Sequence, residues 1–180
     1  YACVFFLLLQ REWGSMLIMI FTYLMMLYIF KSDKLILFFN GIVMTLVAWF
    51  GCKYMSHIQI RVENWIDPWA DISGRGYQIT QSLFAIASGG FFGSGLGLGH
   101  PEYIPEVHSD FIFSAICEEM GIFGGIAVIA LYFILVYRGF KIALRLDGFE
   151  RCLAAGITII FGFQTFVIIG GVIKMIPLTG

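Results

Sequence analysis

The sequence predicts an all-α fold: a polytopic transmembrane helix bundle of about four spanning helices and part of a fifth, with a long extracytoplasmic loop that contains a short amphipathic helix. Three observations predict it. Of the 180 residues, 59% are hydrophobic and only 13% charged, where a soluble domain carries about 25% charged residues. The mean hydropathy is +0.88. Apolar runs close to the ~20 residues that a membrane-crossing helix needs recur along the chain.

The first run, residues 1–9, reads as the tail of a helix. It opens inside apolar sequence with neither Met nor the basic segment of a secretory leader. The chain is therefore expected to be a partial, single integral membrane domain cut from a longer protein. Runs at 13–30, 35–52, 111–137 and 152–175 each predict a spanning helix. The links "KSDK" (31–34) and "RGFKIALRLDGFER" (138–151) are short and basic, holding Lys31, Lys34, Arg138, Lys141, Arg145 and Arg151. The positive-inside rule places them in the cytoplasm. Alternation then puts 53–110 on the outer face, although Arg11, Lys53, Arg61 and Arg75 fall there too. Within that stretch, "GYQITQSLFAIAS" (76–88) predicts a short helix with Ile79, Leu83 and Ile86 as its apolar stripe and Gln78, Gln81 and Ser82 on another face. It is too short to cross, so an interfacial or re-entrant position is expected.

Several function classes are excluded. A net charge of -1 and a pI near 6.3 supply no basic field for nucleic acid. Cys3, Cys52, Cys117 and Cys152 are far apart with no CxxC pair, so they read as small apolar packing residues rather than a disulfide or zinc framework.

Two stretches carry candidate chemistry. In "SGGFFGSGLGLG" (88–99), Gly93, Gly95, Gly97 and Gly99 alternate. This is not the G-x-G-x-x-G of a dinucleotide site, nor does a phosphate-binding Lys follow. The stretch reads either as a backbone able to approach a ligand or a neighbouring helix closely, or as a turn-rich connector. Downstream, His100, Glu102, Glu106, His108 and Asp110 match no zinc motif, and Pro101 and Pro105 interrupt any regular helix face. No dedicated metal site is expected; a divalent cation (Mg or Mn) bridging a phosphate is the form a metal takes here. Helix-compatible sequence starts near His108 or Ser109, which puts Asp110 in a first turn, where the helix dipole favours a carboxylate. An ordinary acidic cap reads the same way. Glu118 and Glu119 would follow at about 80° and 180° from Asp110 around the helix. Two turns into an apolar segment, a carboxylate costs several kcal/mol unless it is paired or solvated. Either a functional role or a partner such as Arg75 or Lys53 is expected, and both require a polar cavity.

These residues carry a resemblance. "GYQITQSLFAIASGGFFGSGLGLG" followed by "PEVHSDFIFSAICEEMGIFGG" resembles the long extracytoplasmic loop and next helix of the SEDS proteins (shape, elongation, division and sporulation), which include FtsW, RodA and SpoVE. "LLQREWGS" (8–15) is similar to the family's LxQPDLGT, with Arg11, Glu12, Trp13 and Ser15 departing from it, and "KMIPLTG" (174–180) matches the approach to a terminal helix. The resemblance covers nearly all of this chain but only the second half of a typical ten-helix member, so the chain alone is expected to be inactive.

The resemblance implies a peptidoglycan glycosyltransferase that polymerises lipid II outside the bacterial cytoplasmic membrane, in division, elongation or sporulation. It implies Asp110 as the catalytic base. Arg61 and Arg75 are candidates to hold the departing diphosphate, and Gln81, His108, Glu118 and Glu119 are further substrate-binding candidates. His108 and Glu119 are also placed to tune Asp110 or hold a cation. A class B penicillin-binding transpeptidase is the implied partner. A lipid II flippase is the alternative: it uses a similar polar cavity but needs no base. A purely structural membrane partner for a transpeptidase is a third reading, under which every acidic substitution is tolerated.

Overall fold

The computed structural model describes residue 7 and residues 13–31, 34–54 and 56–178. Its regular elements are helices: α1 (Trp13–Lys31), α2 (Lys34–Tyr54), α3 (Ser56–Ile66), α4 (Tyr77–Gly89), α5 (Ile112–Ala143) and α6 (Gly148–Val172), with 3-10 turns at Pro68–Asp71 and Pro101–Tyr103. The helix tail expected at 1–9 lies, apart from residue 7, outside the described residues.

The four long apolar helices fall where the runs predict them. α5 and α6 are long and apolar enough to cross a membrane, while the apolar stretches described for α1 and α2, Gly14–Phe30 and Lys34–Leu46, are shorter. Large side chains such as Ile126, Leu131 and Phe133 stand exposed along α5. A helix that is apolar all round has lipid as its natural surroundings. The architecture is thus a membrane helix bundle.

Two expectations about the links are corrected. The basic link at 138–151 is mostly helix, because α5 runs on to Ala143 and α6 starts at Gly148. A side chain at Gly139 would collide with the Thr158 hydroxyl, so a small residue lets the two helices touch this close to their connection. The 53–110 stretch is also less loop-like than expected, since α3 occupies part of it. Its stripe of Ile58, Val62 and Trp65, at i, i+4 and i+7, is the helical signal in that sequence.

The chain divides into two compact units, Tyr1–Ser56 with Phe133–Thr165 and His57–Tyr132 with Phe166–Gly180. In the first, α1 lies along α2, Phe21 stacks on Phe163 with ring centroids 3.7 Å apart, and Arg151 sits over the Phe30 ring. The second has a core of Ala85, Ile104, Val107, Phe111, Phe113, Cys117 and Val172. It draws on α4, the turn before α5, the start of α5 and the end of α6. Each large side chain buried there, Phe111 above all, contributes ~1.5–3 kcal/mol.

The face that α4 buries is shifted from its apolar stripe, although Ile79 is buried and Ile86 packs against the core as predicted. Its buried residues are Ile79, Thr80, Ser82, Ala85 and Gly89, while Leu83 is only half-buried. Ser82, expected on the polar face, is fully buried and shares a hydrogen bond with Ser114 of α5 at 2.7 Å. Close helix approach selects small side chains over large ones, and a serine pair is compatible with the interior because each hydroxyl satisfies the other.

Candidate active site

The turn leading into α5 is pinned from beneath. Ile104, Val107 and Phe111 are buried at i, i+3 and i+7, which leaves Glu106, His108 and Ser109 exposed and Asp110 half-buried between them. Glu106 adopts a left-handed backbone, φ 55, a conformation that costs a non-glycine residue ~1–3 kcal/mol. Its carbonyl accepts three hydrogen bonds, from the Ser109 N–H (3.1 Å), the Ser109 hydroxyl (3.2 Å) and the Asp110 N–H (3.2 Å). These bonds hold the chain in a turn, so α5 begins at Ile112 and Asp110 precedes it instead of lying in its first turn as the sequence predicts. The helical angles drawn from Asp110 to the two glutamates therefore do not apply. The Asp110 carboxylate has no hydrogen-bond or ion-pair partner among the described residues.

α5 is broken at Gly121, where φ is 69 and ψ -169, and the glycine-rich segment fills the break. Ser94 N–H donates to the Glu118 carbonyl (2.9 Å), Gly95 N–H to the Glu119 carbonyl (3.0 Å), and Ile122 N–H to the Gly90 carbonyl (2.9 Å). The Ser94 hydroxyl also donates to the Glu118 carbonyl, at 3.0 Å. Carbonyls and an N–H that an unbroken helix would pair within itself are paired with the loop instead. A Cβ at Gly93 would overlap the Glu119 carbonyl, and one at Gly121 the Phe91 carbonyl. Glycine is what the approach of two backbones requires, and of the two readings of the glycine cluster, docking on an adjacent helix is the one realised.

Residues 120–137 carry no charge. At 1.5 Å per residue this run of roughly 18 residues is ~27 Å long, close to the ~30 Å of hydrocarbon in a bilayer. Glu118 and Glu119 stand in the second turn of α5, just before this run. Glu118 is buried, and the expected pairing with Arg75 is not made: its Oε1 accepts the His100 N–H at 3.2 Å, while its buried Oε2 has no hydrogen-bond partner among the described residues. Gly99 passes over both glutamates, and a side chain there would press on Glu119 Cγ and Glu118 Oε2.

The remaining candidates are spread out. Arg75 is exposed after the first 3-10 turn, its N–H donating to Asp71 Oδ2 (3.1 Å) and its carbonyl accepting from Asn64 (2.7 Å). Arg61 on α3 and Gln81 on α4 are half-buried, and His108 is exposed. His100 pairs with Glu102 at 3.0 Å. The Glu102 backbone N–H, and after it the His100 ring, hold this carboxyl below its ordinary range. Among the described residues no three His, Cys, Asp or Glu side chains converge on a point that could hold a metal. Glu118 is closed under the loop and Glu102 is turned to His100.

Sequence reasoning missed one set of long-range contacts. Trp65 Nε1 donates to the Lys174 carbonyl (3.1 Å), and Lys174 Nζ donates to the Ile66 carbonyl (3.3 Å), tying the end of α3 to the turn beyond α6. Lys174 has φ 63, which no local sequence signal predicts.

These features define a class: a helical membrane protein with an acidic, strained turn at the mouth of a broken apolar helix. The chain belongs to the FtsW, RodA and SpoVE family, whose model, described as "Cell cycle protein", matches residues 1–180. It is 40% identical over 178 residues to the peptidoglycan glycosyltransferase RodA of Mycobacterium bovis, covering 95% of this chain and 37% of that protein. It is 37% identical over 176 residues to the RodA of Mycobacterium leprae, with the same two coverages. The probable peptidoglycan glycosyltransferase FtsW of Tolumonas auensis is 40% identical over 181 residues, 97% of this chain and 47% of that protein. The chain thus spans less than half the length of these relatives.

Proposed function

We propose that this chain is part of a peptidoglycan polymerase of the bacterial cytoplasmic membrane, a multi-pass protein that extends glycan strands from lipid II on the outer face during division, elongation or sporulation. The observation that carries the reading is Asp110: a half-exposed carboxylate without a hydrogen-bond or ion-pair partner among the described residues, on a strained and anchored turn at the entrance of a membrane-crossing helix. The names of the relatives support the reaction class.

In the proposed reaction, the 4-hydroxyl of an acceptor GlcNAc attacks C1 of the donor MurNAc. The new glycosidic bond forms as the bond from C1 to the phosphate oxygen breaks, with inversion at C1. Asp110 takes the hydroxyl proton, and undecaprenyl diphosphate leaves with the electron pair. A positioned base contributes ~10²–10⁴-fold to such a step. Arg61 and Arg75 are the cations assigned to the diphosphate, with Gln81, His108, Glu118 and Glu119 assigned to the sugars and to the setting of Asp110. The bilayer holds the lipid tail, so the reactive end meets Asp110 at headgroup height. A class B penicillin-binding transpeptidase is the partner that cross-links the product.

The test is lipid II polymerisation by the full-length protein with its cognate transpeptidase, beside Asp110→Asn. Loss of glycan in a variant that folds and binds its partner supports the base. Undiminished polymer refutes it, and lipid II transport into vesicles is then the activity to measure.

A further inference from the structure

We propose that the segment 91–98 is a lipid-contacting element, with Phe91, Phe92, Leu96 and Leu98 set among the acyl chains of the bilayer beside α5. This inference rests on α5 crossing a membrane and is independent of the reaction the site performs.

Four large apolar side chains in this short segment are exposed, Phe92 by 85% and Leu96 by 77%. In water such a cluster is unfavourable, since each side chain contributes ~1.5–3 kcal/mol when fully removed from it. The cluster is continuous with a surface already assigned to lipid: the Phe92 ring lies 5.6 Å from that of Phe123, which is exposed on α5. Ile126 and Ile129 carry the same exposed apolar face further along the helix.

The segment is also fastened to the helix. Hydrocarbon does not accept unpaired irregular backbone, so the apolar side chains reach the acyl chains while the backbone stays at their edge, pinned through four of its N–H groups. Here Gly93 N–H donates to the Gly89 carbonyl (2.7 Å), Ser94 and Gly95 donate into the helix break, and Leu98 N–H donates to the Gly95 carbonyl (3.1 Å). The break at Gly121 falls at the first turn of the uncharged run, so the loop is fastened where headgroups give way to acyl chains. From this anchorage the chain runs through Gly99 and His100, held by Glu118, toward the Asp110 turn. Immersion of the loop sets how far that turn stands above the hydrocarbon.

The test places a nitroxide on the full-length protein, with its native cysteines replaced, through Phe92→Cys, Leu96→Cys, Ile126→Cys or Ser73→Cys, in phosphatidylglycerol–phosphatidylethanolamine vesicles. Collision rates with oxygen, which concentrates in hydrocarbon, and with a water-soluble nickel chelate are then compared. Oxygen should exceed nickel at 92 and 96, as at 126 on the helix face, with the order reversed at 73. Nickel exceeding oxygen at 92 and 96 would overturn the proposal in favour of water. Low collision rates with both reagents there would overturn it in favour of burial against protein. If position 126 also fails to favour oxygen, the proposal falls with its premise that α5 faces lipid.

Discussion

The hydroxyls of Ser82 and Ser114 meet at 2.7 Å, both residues fully buried, and join α4 to the first turn of α5. Removing either one leaves a buried hydroxyl without its partner, a loss of ~1–3 kcal/mol. Ser82→Ala and Ser114→Ala should each lower the thermal unfolding midpoint, and the double variant should lose less than the sum, with a coupling of ~0.5–3 kcal/mol. Simple additivity in the four-variant cycle would show that the two hydroxyls do not depend on one another.

The interlock of loop and helix makes a graded prediction for glycines. Gly93, at φ 83, and Gly97, at φ 72, share left-handed backbones, but only Gly93 lies against a carbonyl, that of Glu119. Gly97→Ala should cost the backbone strain alone, ~1–2 kcal/mol. Gly93→Ala should cost more, because the Ser94 and Gly95 hydrogen bonds to α5 cannot form around an added methyl. Unfolding followed in lipid nanodiscs orders the two; equal losses would remove the interlock from the account.

Asp110→Asn separates chemistry from folding. The carboxylate makes no hydrogen bond or ion pair among the described residues, so the exchange should change stability by no more than ~0.5 kcal/mol. Polymerisation should fall by ~10²–10⁴-fold. A drop in stability as large as that at Ser82 would instead assign Asp110 a structural role.

Glu118 is expected to act through its shape more than its charge. Glu118→Gln keeps an acceptor for the His100 N–H and should unfold within ~1 kcal/mol of the parent, whereas Glu118→Ala strands that N–H and should lose ~1–3 kcal/mol. If the glutamine variant folds normally but binds lipid II more weakly, the unpaired Oε2 takes part in substrate binding. Unchanged affinity would limit Glu118 to positioning the loop.

Acid should loosen the His100–Glu102 pair from the carboxylate side. The folded-state pKa of Glu102 lies below its ordinary 4.5, owing first to its own backbone N–H and then to His100. A depressed carboxylate pKa favours the folded loop at every pH above the ordinary value, and that contribution is lost as pH falls through the folded value. The His100 ring resonances should therefore report a step below pH 4.5 that disappears in Glu102→Gln. A step that persists in that variant would trace to another group.

Much of the fold was legible because it depends on local sums. Whether a run of some twenty residues can leave water is set by its composition, so the four long helices fall close to their predicted positions. α3 was not read from the sequence, because its polar residues mask the stripe of Ile58, Val62 and Trp65, which is clear only when counted at helical spacing. The site was legible in its residue types and not in its geometry. Glu106 in a left-handed backbone, Ser82 buried against Ser114, and a helix broken at Gly121 are each unfavourable taken alone. The serine pair and the helix break are stabilised by partners far away in the sequence, and the Glu106 turn by Ser109 and Asp110 beside it together with the core that buries Val107 and Phe111.

By itself, then, the sequence determined that this is a helical membrane protein with acids gathered about the start of an apolar helix, since hydropathy and helical period are properties of consecutive residues. Only the tertiary structure decided that Asp110 stands before α5 rather than within it, and that Glu118 faces the loop rather than an arginine. It also decided that the glycines serve a backbone-to-backbone contact. The reason is that backbone hydrogen bonds must be satisfied somewhere. Which carbonyl receives the Ser94 or Gly95 N–H depends on what folding brings within 3 Å, which the order of residues does not state.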